Sequence, residues 1–252
     1  MNLKPESDNR VHLNYNDGRN FLLATDKKYD MIVSEPSNPW QSGVCNLFTK
    51  EFFGICKNRL KADGVLSVWM QTAEVPPDSL CGVIAALNSE FEYTVAFTPK
   101  QGNLVLLASA KPLVFDFAKM QEAIDSNPVR KKELHRVGID APSDVLGRLT
   151  VSSQGLRNLM ANFLNTDDHN RLEFDVGRSY EDKLFMEENS MMLIALSRDP
   201  WKHLDLGIMS KEQQALAMMA IAQAARNNSA SDSALKWAFK SQEIYPNVGA
   251  YR

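Results

Sequence analysis

The chain has 252 residues, enough for one large domain or two modest ones. Its 28 Lys and Arg against 31 Asp and Glu give a net charge of −3, with no basic excess to grip a phosphate backbone, so nucleic acid is not an expected partner. At 44% hydrophobic and 23% charged residues the composition is globular, and the longest nearly apolar stretch, Ala215 to Ala225, falls short of the roughly 18 residues a bilayer span needs.

The polar start MNLKPESDNR has no apolar core of a signal peptide. Three scattered cysteines, Cys45, Cys56 and Cys81, form no CxxC pair and fit a reducing compartment. A cytoplasmic location is expected.

The first 110 residues alternate β-rich runs with helical patterns. Val11 to Tyr15 is a candidate strand, followed by a short helix over Gly18 to Ala24. Tyr29 to Ser34 is nearly continuous in apolar character, as a strand buried on both faces should be. Thr49 to Leu60 reads as a helix, with Thr49 as N-cap and Phe52, Cys56 and Leu60 on one stripe. Ala62-Asp63-Gly64 would end it, Gly64 taking a left-handed position. Val65 to Met70 is a strand; Asp78 and Ser79 cap a helix carrying Leu80, Val83, Ile84 and Leu87. Phe91 to Phe97 and Leu104 to Ser109 form a hairpin around TPKQGN. This order predicts a layered α/β sheet, mostly parallel, with an antiparallel edge.

After Pro112 strand signals fade. Helical patterns cover Phe117–Ile124, Ser143–Arg148, Gln154–Phe163, Tyr180–Leu196, Ser210–Arg226 and Ser231–Ile244, with a polar loop, NTDDHNRLEF, at 165–174. The last two helices, followed by Tyr245-Pro246, match one tetratricopeptide-type unit in size, with Ala234 and Pro246 in place but the aromatic positions unfilled. Three regions are expected: a sheet domain over 1–112, a helical extension over 113–200 and a tetratricopeptide-like hairpin over 201–252.

Two stretches could carry chemistry. In YDMIVSEPSNPW (29–40), Glu35 follows a hydrophobic strand at the sheet edge where ligands bind, and Pro36 and Pro39 stiffen the loop that holds it. The bland alternative is a Glu35 that caps a helix or faces water. In VHLNYNDGR (11–19), Asp17 stands at the same edge, and Gly18 permits close approach of a flat ligand. The alternative there is an ordinary Asp-Gly turn. Trp40 could wall a pocket or simply anchor the loop. Asp167, Asp168, His169 and Glu173 lack the spacing of metal ligands and read better as a hydrogen-bonded loop; no metal is expected.

DGRNFL, YDMIVSEPSNPWQSGVCNLFTKEFF and LKADGVLSVWMQ together resemble the spermidine/spermine synthase family, nearest to its divergent branch often fused to transporter segments. NTDDHNRLEF is similar to a downstream segment of that branch. The resemblance covers about residues 10–110 closely and 150–180 loosely. It implies a Rossmann-like sheet of the S-adenosylmethionine-dependent methyltransferase type, and the helical patterns after Pro112 predict an all-α tail behind it. It also implies aminopropyl transfer from decarboxylated S-adenosylmethionine, a co-substrate, to an amine acceptor, with no tightly bound cofactor. Asp17 and Gly18 match the pair that holds the adenine amino group. Glu35 matches the aspartate that deprotonates the attacking amine, Asn38 the aspartate that holds the substrate ammonium, and Gln71 a glutamine near the amine pocket.

Three departures follow. Asn38 lacks a charge, Glu35 is one methylene longer than Asp, and no GxGxxG loop exists anywhere in the chain. The resemblance therefore implies an N-terminally incomplete member, a fragment inactive by itself, with the sheet beginning at its third strand. A membrane is an expected partner only if transporter segments precede it. The alternative is a non-catalytic remnant whose helical tail binds a protein.

Overall fold

The computed structural model describes residues 7–39, 41, 43–179 and 185–246. Trp40, the Tyr180 start of one expected helix and the 247–252 terminus lie outside them. The sheet-bearing part runs α1 (Gly18–Ala24), β1 (Tyr29–Ser34), α2 (Lys50–Arg59), β2 (Leu60–Gln71), α3 (Pro77–Glu90), β3 (Tyr93–Lys100) and β4 (Asn103–Ser109). There follow β5 (Phe115–Asp116), α4 (Phe117–Asp125), α5 (Pro128–Arg136), α6 (Pro142–Leu146), β6 (Leu149–Val151) and α7 (Ser153–Arg157). The chain continues through α8 (Arg171–Ser179), α9 (Met186–Leu196), β7 (Leu204–Asp205), α10 (Lys211–Asn227) and α11 (Ser231–Ile244).

The main sheet has five strands in the order β1-β2-β4-β3-β6, and β5 pairs with β7 apart from it. Within the main sheet only β1 and β2 are parallel, while β2–β4, β4–β3 and β3–β6 are antiparallel; the separate β5–β7 pair is parallel too. The mixed α/β architecture stands, consistent with a Rossmann-like reading, but the described sheet is mostly antiparallel rather than mostly parallel. The reason lies in the connections. A long helix-bearing crossover joins β1 to β2, whereas Gln101-Gly102 turns β3 straight back onto β4, with Gly102 at φ 81°.

Local chemistry explains the elements. Thr49 accepts the Phe52 amide and Glu51 sits in the first turn, so α2 starts where expected. Its Phe52, Phe53 and Cys56 pack with Leu66, Val68 and Met70 of β2, Leu80, Val83, Ile84 and Leu87 of α3, and Leu104 and Leu106 of β4. The opposite sheet face buries Val95, Phe97, Leu113 and Leu149.

Three expectations need correction. Gly64 is not a left-handed helix stop: β2 begins at Leu60 and bulges at 61–64 opposite the start of β1. A Cβ on Gly64 would stand 3.0 Å from the Tyr29 carbonyl, so glycine serves close strand approach here. Val11 to Tyr15 is not a strand; Val11, Leu13 and Tyr15 are exposed and no described strand lies beside them. The tail after residue 112 is not all-α, because Leu149–Val151 joins the main sheet on β3 and β5 pairs with β7. Strands of two or three residues are too short to show a period. The α10–α11 hairpin forms, with a Ser210–Gln213 capping box, around Met218, Ile221, Ala222 and Trp237, and it packs on Leu146 of α6. No described helix is long and apolar enough to cross a membrane.

Candidate functional site

Asp17 caps α1: its Oδ1 accepts the Asn20 amide at 2.8 Å and its carbonyl accepts the Phe21 amide at 2.9 Å. A Cβ added to Gly18 would meet nothing within 4 Å. Neither packing nor a positive φ demands glycine there; it leaves the turn open to an approaching group. Next to it Arg19 reaches away from the turn. Its Nη1 donates to the Asn46 carbonyl at 3.0 Å and to Asp167 Oδ1 at 2.9 Å, while Nη2 donates to Asp167 Oδ2. Asp17, Arg19, Asn20, Gly43, Asn46, Leu47 and Asp167 line an open cleft of about 440 Å³. Among the described residues Leu47 is its one hydrophobic wall.

Asp167 comes from far along the chain and is itself held. Thr49 Oγ1 donates to its Oδ1 at 2.7 Å, and its own amide donates to Glu51 Oε2 at 2.8 Å. The guanidinium of Arg19, then the Thr49 hydroxyl, hold its carboxyl below the usual carboxylate range, while partial burial opposes them. The Arg19 pKa is raised by the same pair. The adjoining Asn165 is fully buried: its Nδ2 donates to the Phe48 carbonyl and to Asn170 Oδ1, its Oδ1 accepts the Leu172 amide, and its carbonyl accepts the Lys50 amide. The segment expected as a hydrogen-bonded polar loop docks onto α2, and its last residues, Arg171 to Phe174, begin α8.

The spermine/spermidine synthase domain matches residues 1–111, and curated relatives align with the chain. The polyamine aminopropyltransferase of Alkaliphilus oremlandii (strain OhILAs) is 44% identical over 59 residues, which is 23% of this chain and 20% of the relative. That of Clostridium perfringens (strain 13 / Type A) is 42% identical over 59 residues, and that of Buchnera aphidicola subsp. Acyrthosiphon pisum (strain APS) 41% over 58, with the same shares covered. Residues 1–111 are thus similar to the spermine/spermidine synthase domain. The alignments span about a fifth of the length of these relatives.

Within the synthase-family region the remaining candidates stand apart from the cleft. Glu35 is exposed, directly past β1; Asn38 is half-buried in the following loop; Gln71 ends β2. Because β1 and β2 run parallel, with Ser34 opposite Val68, Glu35 and Gln71 share one end of the sheet. None of Glu35, Asn38 and Gln71 lines the Asp17 cleft. The structure therefore groups Asp17 with Arg19 and Asp167, and groups Glu35 with Gln71 by strand register.

Sequence reasoning missed Arg19, Asn46 and Asp167 as cleft residues. The Asp- and Asn-rich loop was visible, but nothing local shows that a partner lies 148 positions away. It also missed Asn189, whose Nδ2 donates to the carbonyls of Thr72 and Val75 at 2.7 and 2.8 Å and fixes the loop after Gln71. In that loop Glu74 Oε2 is buried without a partner among the described residues. No described group of His, Cys, Asp and Glu is arranged to hold a metal ion. Asp167 is spent on Arg19, and His169 lies edge-on to Phe163 with ring centres 6.2 Å apart.

Proposed function

We propose that this chain carries part of an aminopropyl-transfer site acting on decarboxylated S-adenosylmethionine and an amine. The observation that supports it most is Asp17, set in an open cleft within a region matching the synthase domain. Asp17 Oδ1 is engaged by Asn20, and Oδ2 accepts no hydrogen bond from the described residues, so it remains for an exocyclic adenine amine beside the bare Gly18. In the reaction the amine lone pair attacks the propyl carbon on sulfur. The C–S bond breaks with its electrons to sulfur, leaving neutral 5′-methylthioadenosine. The amine proton passes to a base, for which Glu35 stands exposed at the sheet edge with Gln71. Asn38 can orient the acceptor by hydrogen bonding but supplies no charge.

By itself the chain binds the nucleoside weakly and does not turn it over. One hydrogen bond to a charged acceptor nets about 1.5–3 kcal/mol, while micromolar affinity needs about 8. Among its described residues the cleft offers one apolar wall for the base, and the sequence has no GxGxxG turn to hold the rest of the ligand. Calorimetry with decarboxylated S-adenosylmethionine at millimolar concentration tests this. A millimolar dissociation constant abolished by Asp17→Asn supports the reading; low-micromolar affinity, or indifference to Asp17→Asn, contradicts it.

A second reading, a non-catalytic chain whose tetratricopeptide-like tail binds a protein, is favoured by Leu235 and Phe239. These lie one helical turn apart on α11 and are both exposed. Complete absence of nucleoside binding would leave that reading standing.

A further inference from the structure

We propose that Asp167 is a positioning residue for the nucleoside cleft, keeping Arg19 off Asp17 so that the Asp17 carboxylate stays free for its ligand. The identity of that ligand rests on the function proposed above; the positioning does not.

Arg19 lies two residues after Asp17, at the start of α1. Elsewhere in the same molecule Asp8 and Arg10, also two apart, form a closed pair, with Arg10 Nη2 2.6 Å from Asp8 Oδ2 and Nε 2.9 Å from Oδ1. That pair sits in a turn; at the cleft Asp17 is the N-cap and Arg19 the second residue of α1, and the two are neighbours because both line one cavity. There Arg19 does not close on Asp17, because Asp167 takes the guanidinium fork in two-point fashion and the Asn46 carbonyl takes another N–H.

Asp167 is well built for that task. Thr49 Oγ1, itself in a fully buried residue, and the Glu51 carboxylate fix its side chain and its backbone from α2. The Arg19 side chain is 20% exposed, so its choice of partner is made in a partly desolvated setting where a misplaced charge is felt. α1 does not need the Arg19 pair to stay folded onto the protein. Leu22 is buried, and Arg59 donates Nε to the Leu22 carbonyl at 2.8 Å and Nη2 to the Leu23 carbonyl at 3.2 Å. Removing Asp167 thus releases a cation beside Asp17 without removing the helix that carries it.

The test uses the whole chain, 5′-methylthioadenosine as probe, and NMR titration to read weak affinities. Asp167→Asn is expected to weaken binding at least tenfold with only a small drop in melting temperature, and Arg19→Gln/Asp167→Asn to regain most of the lost affinity. Rescue by deleting the second residue separates positioning from a structural role, which the double variant would only worsen. Unchanged affinity in Asp167→Asn, or no recovery in the double variant, overturns the proposal. If Asp167→Asn does not fold, Arg19→Gln alone decides: affinity within twofold of the parent supports it, and a tenfold loss overturns it. If the parent chain binds no methylthioadenosine, the proposed function fails. The positioning claim is then judged by a crystal structure of Asp167→Asn, where Arg19 must sit on Asp17; Arg19 still directed at residues 46 and 167 overturns it.

Discussion

Two loops of this molecule reverse the roles their sequences suggest. The loop after β1 carries Pro36 and Pro39 and looks rigid, yet the hydrogen bonds among its described residues are local: Ser37 Oγ to Gln41 Oε1 at 2.6 Å and the Gln41 amide to the Asn38 carbonyl at 3.1 Å. The loop from Asn165 to Asn170 looks like polar filler, yet it is tied to the residue 46–51 segment and to Gly82 of α3 through buried bonds. Proline fixes one dihedral per residue and says nothing about where a loop sits. A buried asparagine amide, with two donors and an acceptor, can bind the backbones of elements far apart in sequence.

The largest effect should come from breaking the second loop. Asn165→Ala leaves the Phe48 carbonyl and the Leu172 amide without their side-chain partner in a fully buried site. Each such group costs roughly 1–3 kcal/mol. Urea denaturation should show a loss of about 3 kcal/mol; a loss below about 1 kcal/mol would mean the loop is not held as described.

A second polar tie, at His203, sharpens the point through pH. Its Nε2 accepts the Ser153 amide at 3.0 Å, and its Nδ1 donates to the Leu113 carbonyl at 2.8 Å. This pattern requires neutral imidazole. Burial holds its pKa below the ordinary 6.5, while the Leu113 carbonyl pulls the other way and Arg157 adds to the lowering. The unfolded chain therefore binds more protons than the fold between pH 6.5 and the lowered value, and stability falls as pH drops through that window. Denaturation midpoints at pH 7.5 and 5 should diverge, and His203→Gln should bring them together. Equal pH dependence in the parent and the variant would contradict the assignment.

The smallest effect is expected from Pro36→Ala. It loosens the unfolded chain by less than about 1 kcal/mol and removes no hydrogen bond. A loss above 2 kcal/mol would show that the first loop is anchored after all.

Much of the fold was legible because its signals are local. Thr49 before Phe52, and Ser210 before Gln213, mark helix starts within four residues. The apolar runs of β1 and β2 mark strands, but β1 is not buried on both faces as expected: Met31 and Val33 are exposed. What escaped depends on distance. Gly64 has the look of a helix stop, and only the Tyr29 carbonyl opposite shows why it is glycine. Val11, Leu13 and Tyr15 alternate as a strand does, but alternation does not supply a partner. β6 is three residues long, recruited by Ala96 and Phe97 of β3. The candidate site divides the same way: Asp17 and Glu35 follow recognisable motifs, whereas Asp167 belongs to the cleft only because the chain returns there.

The central claim is that one cleft is built from the synthase-family region and from the loop at 165–170 together. Amide chemical-shift mapping with 5′-methylthioadenosine on the 252-residue chain tests it most directly. The account predicts shifts clustered at Asp17 to Asn20, Gly43 to Leu47 and Asp167, from both segments at once. Shifts confined to the Glu35 loop, or absent from Asp167 while Asp17 responds, would contradict it.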